Sequence, residues 1–250
     1  MTRRYTTLIT MFVLLLLAAA SSHAQSAKNN GFYVYQTSGI IGDQDIYVTD
    51  YGIKIENKSS GLITIANSPG WEVLTFHERS RTICKQPLDK FRGYIAEKEF
   101  VSTGQEWSKL PLSKTETGSV ANINANVFLT PNSFTEKQIK DWSQQFADSK
   151  FIKSAKYCVS SDLKIPTKAI TTLCRFYGTA DKGGLPLEFK YHDLGGNLHV
   201  GLITSMVKPF QFDSKIFPTP KDFRAVESMK DLLKSVKSSK AKKLRRRPLL

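Results

Sequence analysis

Two histidines of this chain stand directly beside a carboxylate, the pairing that acid–base chemistry and metal binding both use. His77 precedes Glu78, and His192 precedes Asp193. Ser80 lies close to His77, but no nucleophile motif surrounds it. Because neither pair has a third ligand or an oriented nucleophile nearby in the sequence, we interpret both as solvated surface pairs at turns. This pattern predicts a non-enzymatic protein with no catalytic residue, no metal site and no cofactor.

The three cysteines are Cys84, Cys158 and Cys174, and their spacing matches no zinc motif. In an oxidising compartment two cysteines can pair and leave one over. Cys158 and Cys174 are the closest in sequence, so they are the preferred disulfide. Three buried free thiols are the alternative, since cysteine packs well in a core.

Basic residues near the C terminus carry much of the formal net charge of +14. Such a cluster attracts polyanions, and the candidates outside the cytoplasm are an anionic membrane surface or another envelope polyanion. No aromatic residues interleave with these charges, so specific nucleic-acid binding is not expected. A solvated tail that only aids solubility is the alternative interpretation. The candidate polyanion-binding residues are Lys240, Lys242, Lys243, Arg245, Arg246 and Arg247.

The N terminus has the pattern of a secretory signal peptide over residues 1–24. Arg3 and Arg4 precede an apolar stretch from Leu8 to Ala20, and Ala24 is a small residue at the expected cleavage site. The apolar stretch is short for a bilayer span, which makes an uncleaved anchor the weaker alternative. We therefore expect an exported protein, periplasmic or secreted.

Short apolar strands that alternate with turns predict an antiparallel meander from Gly31 to Lys85. A second strand block comes late, where alternation on residues 185–192 is followed by the turn Asp193–Asn197 and by alternation on residues 198–206. Residues 119–129 and 155–160 are expected to add strands between the two blocks.

Three helices are predicted. A capping box at Ser133–Glu136 begins the first, with an apolar face through Phe146. Pro166–Tyr177 is the second and is closed by Gly178. An apolar stripe predicts the third from Pro220 to about Val236, followed by a disordered basic tail.

The order of these elements resembles the LolA/LolB-like lipoprotein-carrier superfamily and a family of exported bacterial proteins that share its architecture. The stretches that carry the resemblance are Tyr47–Glu56, Gly70–Phe76, Gly183–Leu187 and Phe217–Pro220. The resemblance implies an α+β fold with a strongly curved antiparallel sheet, an incomplete barrel, and a few helices packed on its concave side. It also implies acyl chains held between sheet and helices. The chain departs from the anchored members by lacking an N-terminal lipid-attachment cysteine, and from the fold in general by its basic tail.

The resulting interpretation is one domain at residues 25–237, between the signal peptide and a tail at residues 238–250. Its expected function is to hold a lipid or other apolar ligand in the envelope. The alternative function is binding of anionic surfaces or polyanions through the basic C-terminal helix and tail. Apolar faces usually form core, which is the competing interpretation of the ligand-binding candidates. Those candidates are Ile53, Ile55, Ile63, Ile65, Leu187, Phe189, Tyr191, Val200 and Leu202.

Overall fold

A computed structural model describes residues 31–93, 106–131, 137 and 152–245, with backbone only at Ser214 and from residue 240 onward. The predicted signal peptide, the predicted helix at Ser133–Phe146 except Lys137, and residues 246–250 lie outside these ranges. In the described part, twelve strands form one sheet, and two α-helices accompany it.

The meander predicted for the first part of the chain is confirmed. Its strands are β1 (Gly31–Ser38), β2 (Gly42–Thr49), β3 (Gly52–Asn57), β4 (Leu62–Asn67), β5 (Val73–His77) and β6 (Thr82–Gln86). Each is antiparallel to the next along the chain.

The later strands form a second meander: β7 (Ser113–Val120), β8 (Ile123–Leu129), β9 (Ile152–Ser160), β10 (Pro186–Asp193) and β11 (Leu198–Phe210). The predicted hairpin of residues 185–206 is confirmed. Since β11 pairs with β1, the two meanders join into one sheet in the order β12-β6-β5-β4-β3-β2-β1-β11-β10-β9-β8-β7. The sheet is not closed, because β7 and β12 (Arg224–Val226) are its two edges.

Residues 119–129, which were expected to add strands, contain β8 and the end of β7, and β7 begins earlier, at Ser113. A turn at Ala121 and Asn122, both with positive φ, divides this region into β7 and β8. Nearly every residue of β7 is exposed and polar. An edge strand with no buried face has no apolar alternation, so the sequence pattern does not reveal it.

Helix α1 (Thr167–Tyr177) matches its prediction, and Gly178 ends it with φ of +73° and an N–H bond to the Cys174 carbonyl. Its buried side packs on the central sheet, where the Tyr177 hydroxyl donates to Gln44 Oε1 at 2.8 Å. We call this side of the sheet, with Ile53, Ile55 and Thr64, the helix face.

Helix α2 (Met229–Arg245) begins later than the predicted Pro220 and continues beyond Ser238, where a disordered tail was expected. Ser228 is its N-terminal cap, because its hydroxyl accepts from the Asp231 N–H at 3.2 Å. Lysine, alanine, leucine and arginine after Ser238 are strong helix formers, which explains the extension.

The apolar stripe predicted for one helix is divided between the two faces of the sheet. Strand β12 runs parallel to β6 at the edge. Before it, Phe223 packs edge-to-face on Phe76 at 5.8 Å, on the face opposite the helices. After it, Met229 and Leu232 pack beside Leu62 and Cys84 on the helix face. The chain thus passes around the sheet edge, and pairing with β6 outweighs helical periodicity. The segment 211–223 covers the opposite face with Phe212, Ile216, Phe217 and Phe223.

Candidate functional site

A cavity of about 210 Å³ lies between the helix face of the sheet and the two helices. Strands β3, β4 and β5 form its floor, while α1 and α2 contribute Phe176, Met229 and Leu233. The turn between β1 and β2 adds Ile40 and Ile41. The lining residues are Ile40, Ile41, Asn57, Ser59, Ser60, Leu62, Thr64, Thr75, Phe91, Gly93, Phe176, Met229 and Leu233.

A close approach of two backbones shapes one wall of this cavity. The Gly93 N–H donates to the Arg175 carbonyl at 3.0 Å. A Cβ at Gly93 would lie 2.0 Å from the Phe176 carbonyl oxygen, so the position has no room for a side chain. The glycine therefore lets the chain lie directly against the end of α1.

The polar groups of the lining bond mainly to one another. The Thr64 and Thr75 hydroxyl oxygens are 3.1 Å apart across β4 and β5. Asn57 donates to the Ile41 carbonyl at 2.8 Å and accepts from the Ser60 N–H and hydroxyl, each at 2.7 Å. No charged side chain is among the described lining residues. Because the amide and hydroxyl oxygens already have partners, an apolar group can enter without breaking a hydrogen bond.

The size of the cavity limits what it can hold. Apolar cavities of about 150 Å³ stay dry and bind benzene. At about 210 Å³ the present cavity is larger than those, but it is below the roughly 300–1,000 Å³ typical of drug-sized ligand pockets. It therefore suits a small apolar molecule or the end of an acyl chain.

None of the nine ligand-binding residues proposed from sequence lines this cavity. Six of them project to the helix face, where they pack as core: Ile53, Ile55, Leu187, Phe189, Tyr191 and Leu202. The other three project to the opposite face. Paired residues of antiparallel neighbours share a face, and Ile63 pairs with Glu56 while Val200 pairs with Lys190. Ile65 packs under Phe217 in the cover of that face. The expectation of a single apolar face for all nine is thus corrected.

Only part of the real lining had a signal in the sequence. Met229 and Leu233 belong to the apolar stripe that helical periodicity identifies. Thr64 lies between Ile63 and Ile65, and its burial depends on a register that periodicity alone leaves open. The turn residues of the lining carry no periodic pattern at all.

His77 is buried rather than solvated, which corrects the surface interpretation. It ends β5 at 5% exposure, and its Nδ1 accepts from the Ser80 N–H at 3.1 Å and lies 2.9 Å from the Ser80 hydroxyl. Ser80 also contacts the Thr82 hydroxyl at 2.6 Å. Since one nitrogen serves the turn backbone, this histidine holds the turn between β5 and β6.

The second pair, His192 and Asp193, separates in the structure because neighbours on a strand point to opposite faces. His192 is exposed and lies 3.4 Å from the Ser154 hydroxyl. Asp193 instead binds His199 Nε2 at 2.8 Å and the Asn197 N–H at 2.9 Å. Partial burial acts to raise the pKa of Asp193, but the hydrogen bonds from His199 and Asn197 outweigh it and hold this pKa at about 2. Among the described residues, no three His, Cys, Asp or Glu side chains are grouped to hold a metal ion.

The expected Cys158–Cys174 disulfide is absent, and both residues are free, buried thiols. Cys174 Sγ lies 3.9 Å from the Tyr157 hydroxyl, beneath α1. Cys158 follows Tyr157 on β9 and so points to the other face, where its Sγ is 4.0 Å from Glu188 Oε1. Burial raises the pKa of Cys158 to about 11 and that of Cys174 to about 12.

Helix α2 exposes basic side chains along its described part. Lys230, Lys234 and Lys237 are exposed, and Lys234 pairs with Asp231 at 3.1 Å. The helix continues through Lys240, Lys242, Lys243 and Arg245 in its backbone, whereas Arg246 and Arg247 lie outside the described residues. No helix of the described part is long and apolar enough to cross a membrane.

No protein-family model matches this sequence, and neither does any curated protein. Solved structures match at low identity. The structure named PNGF-II is 12% identical with a TM-score of 0.44, over 84% of this chain and 33% of that chain. MucB in complex with MucA(peri) is 10% identical with a TM-score of 0.33, over 82% and 60%. The chain thus spans a third of the first protein and less than two thirds of the second.

A LolA superfamily protein from Nitrosomonas europaea is also among the similar structures. It is 9% identical with a TM-score of 0.22, over 76% of this chain and 89% of that chain. All three of these TM-scores are below 0.5.

Proposed function

We propose that this chain is a non-enzymatic binding module that holds a small apolar ligand, or the apolar end of a lipid, in the cavity between its sheet and helices. The signal-peptide pattern of residues 1–24 supports a location outside the cytoplasm, in the periplasm or in the secreted fraction. The observation that carries the proposal is the apolar cavity of about 210 Å³, in which the Asn57 amide oxygen accepts from Ser60 and the Thr64 and Thr75 hydroxyls bond to each other.

The physical reason is the balance between burial and desolvation. An apolar ligand gains about 0.8 kcal/mol for each CH₂ group that it buries. Such a ligand can enter this cavity without breaking the hydrogen bonds of the Thr64–Thr75 pair or of Asn57. A polar ligand would lose its hydration without gaining equivalent partners, so the cavity selects for apolar groups.

Filling the cavity tests the proposal. Leu233 is half-buried on α2 and points into the cavity, so Leu233→Trp should occupy the space that the ligand needs. We expect at least a tenfold loss of affinity for 1-octanol in titration calorimetry, equivalent to about 1.4 kcal/mol.

Val200→Trp is the matched control, since Val200 is 38% exposed on the opposite face and was a ligand candidate from sequence. It should bind 1-octanol as the wild type does. Loss of binding in Val200→Trp with retention in Leu233→Trp would place the ligand on the opposite face and contradict the proposal. Circular dichroism spectra of both variants establish that the fold is retained.

A second candidate function is binding of an anionic surface through α2 and the residues that follow it. The supporting observation is the row of exposed lysines on this helix, against which Asp231 supplies a single carboxylate in the described part. Such binding is electrostatic and weakens with salt. Retention on heparin or on anionic vesicles should fall when residues 238–250 are deleted, and unchanged retention would exclude this function.

A further inference from the structure

The side of α2 that lines the cavity continues outward to a lysine. Met229 and Leu233 are four residues apart and both line the cavity. Lys237 comes four residues later, so it lies on the same side of the helix, about 6 Å further along the axis. The cavity wall and this ammonium group thus belong to one row of side chains.

Exposure to solvent increases along this row. Met229 is 4% exposed, Leu233 is half-buried and Lys237 is exposed. The row therefore runs from the interior to water within two turns of the helix. A ligand whose apolar part lies beside Met229 and Leu233 would have its other end near Lys237.

The positive charge of Lys237, at this end of the row, is not neutralised by a described carboxylate. Lys237 forms no ion pair with a described residue, and no carboxylate lines the cavity. Asp231, the acidic residue in the first turn of α2, is occupied by the Ser228 hydroxyl at 2.7 Å and by Lys234 at 3.1 Å. The Lys237 ammonium is therefore available to an anionic group on a ligand.

We infer that the ligand is a short-chain amphiphile with one anionic head group, its apolar chain in the cavity and its head group on Lys237. This inference rests on the proposed apolar site. If about 150 Å³ accommodates the six carbons of benzene, a cavity of about 210 Å³ accommodates about eight carbons. A carboxylate on such a chain can reach Lys237 while the chain stays buried.

Octanoate and 1-octanol test the head group, because they share a chain length and differ in charge. In titration calorimetry at low ionic strength, we expect the protein of residues 25–250 to bind octanoate about two- to fivefold more tightly than 1-octanol, a factor within the range of an exposed ion pair. Lys237→Gln should remove this preference and leave the affinity for 1-octanol unchanged.

Lys230→Gln is the matched control. Lys230 is exposed on the same helix but outside the row, and its replacement removes the same charge. It should retain the octanoate preference. Failure of both probes to bind would refute the proposed function. Equal binding of the two probes, or equal loss of preference in both variants, would refute the head-group assignment while leaving the apolar site standing.

Discussion

The threonine pair in the cavity floor tests whether the polar groups of the lining satisfy each other by hydrogen bonding. Thr64 and Thr75 are 3% and 2% exposed, and their hydroxyl oxygens are 3.1 Å apart. Valine has the shape of threonine with a methyl group in place of the hydroxyl. Thr75→Val should therefore leave the Thr64 hydroxyl buried without a partner and cost about 1–3 kcal/mol of unfolding free energy.

The double variant Thr64→Val/Thr75→Val removes both hydroxyls at once, so no unpaired polar group remains. Replacing both partners with apolar groups of the same shape is nearly neutral, whereas each single substitution should cost about 1–3 kcal/mol. The coupling between the two sites should therefore equal the sum of the two single costs, about 2–6 kcal/mol. Urea unfolding of the wild type, the two single variants and the double variant measures this coupling directly. With an m-value of about 2 kcal/mol/M, a loss of 2 kcal/mol lowers the midpoint by about 1 M, whereas the double variant should stay close to the wild type.

Thr117→Val provides the control, because Thr117 is exposed on β7 and its replacement should change stability by less than about 0.5 kcal/mol. The double variant should also bind 1-octanol at least as tightly as the wild type, since its lining is more apolar. If the two single substitutions add without coupling, the hydroxyls do not depend on each other and the reasoning about the cavity fails.

Three further predictions concern other parts of the molecule. Iodoacetamide at pH 8 should leave Cys158 and Cys174 unmodified in the native protein, because burial raises the pKa of both thiols. After denaturation without reductant it should modify both residues, whereas protection of the denatured protein would indicate a disulfide. Asp193→Asn should destabilise the protein at pH 6, because a carboxyl group with a lowered pKa stabilises the fold only while it is ionised. The difference in stability from the wild type should disappear as the pH falls through about 2, and a difference that does not change with pH would contradict this prediction. Gly201→Ala should lower the free energy of unfolding in urea by about 1–3 kcal/mol, because its Cβ would lie 2.6 Å from the Phe189 ring and 2.8 Å from the Trp107 ring. Gly70→Ala is the control, since Gly70 has open space around it and its replacement should not show this loss.

Strands along which apolar and polar residues alternate could be predicted from sequence. Ile53 and Ile55 on β3 show the period of two directly, and the hairpin of β10 and β11 carries the same signal. Helix α1 was equally predictable, since Gly178 ends it in the left-handed conformation that glycine adopts readily. These features depend on local sequence, which is why periodicity and turn chemistry detect them.

The start of α2 could not be predicted in the same way. Its apolar stripe reaches back to Phe223 at helical spacing, yet Arg224–Val226 joins the sheet beside β6. Phe223 then packs on Phe76 while Met229 packs on the other face. Hydrogen bonds to the distant strand β6 outweigh the local preference of this segment for a helix. The sequence of the segment itself does not indicate that β6 is available for pairing.

The meander, the late hairpin, helix α1 and the concentration of positive charge near the C terminus could all be predicted from the sequence, because each arises from residues close together in the chain. The residues that surround the cavity are brought together only by the folded sheet and its helices. Periodicity groups Ile53 with Ile55 and Ile63 with Ile65, but only the pairing register shows that the two groups point to opposite faces. The register of β4 with β5 places Thr64 opposite Thr75. Alternation along β9 points Cys158 to the face opposite α1, on which Cys174 lies. The site depends on contacts between distant segments, and these exist only once β11 has paired with β1 and α2 has passed around the sheet edge.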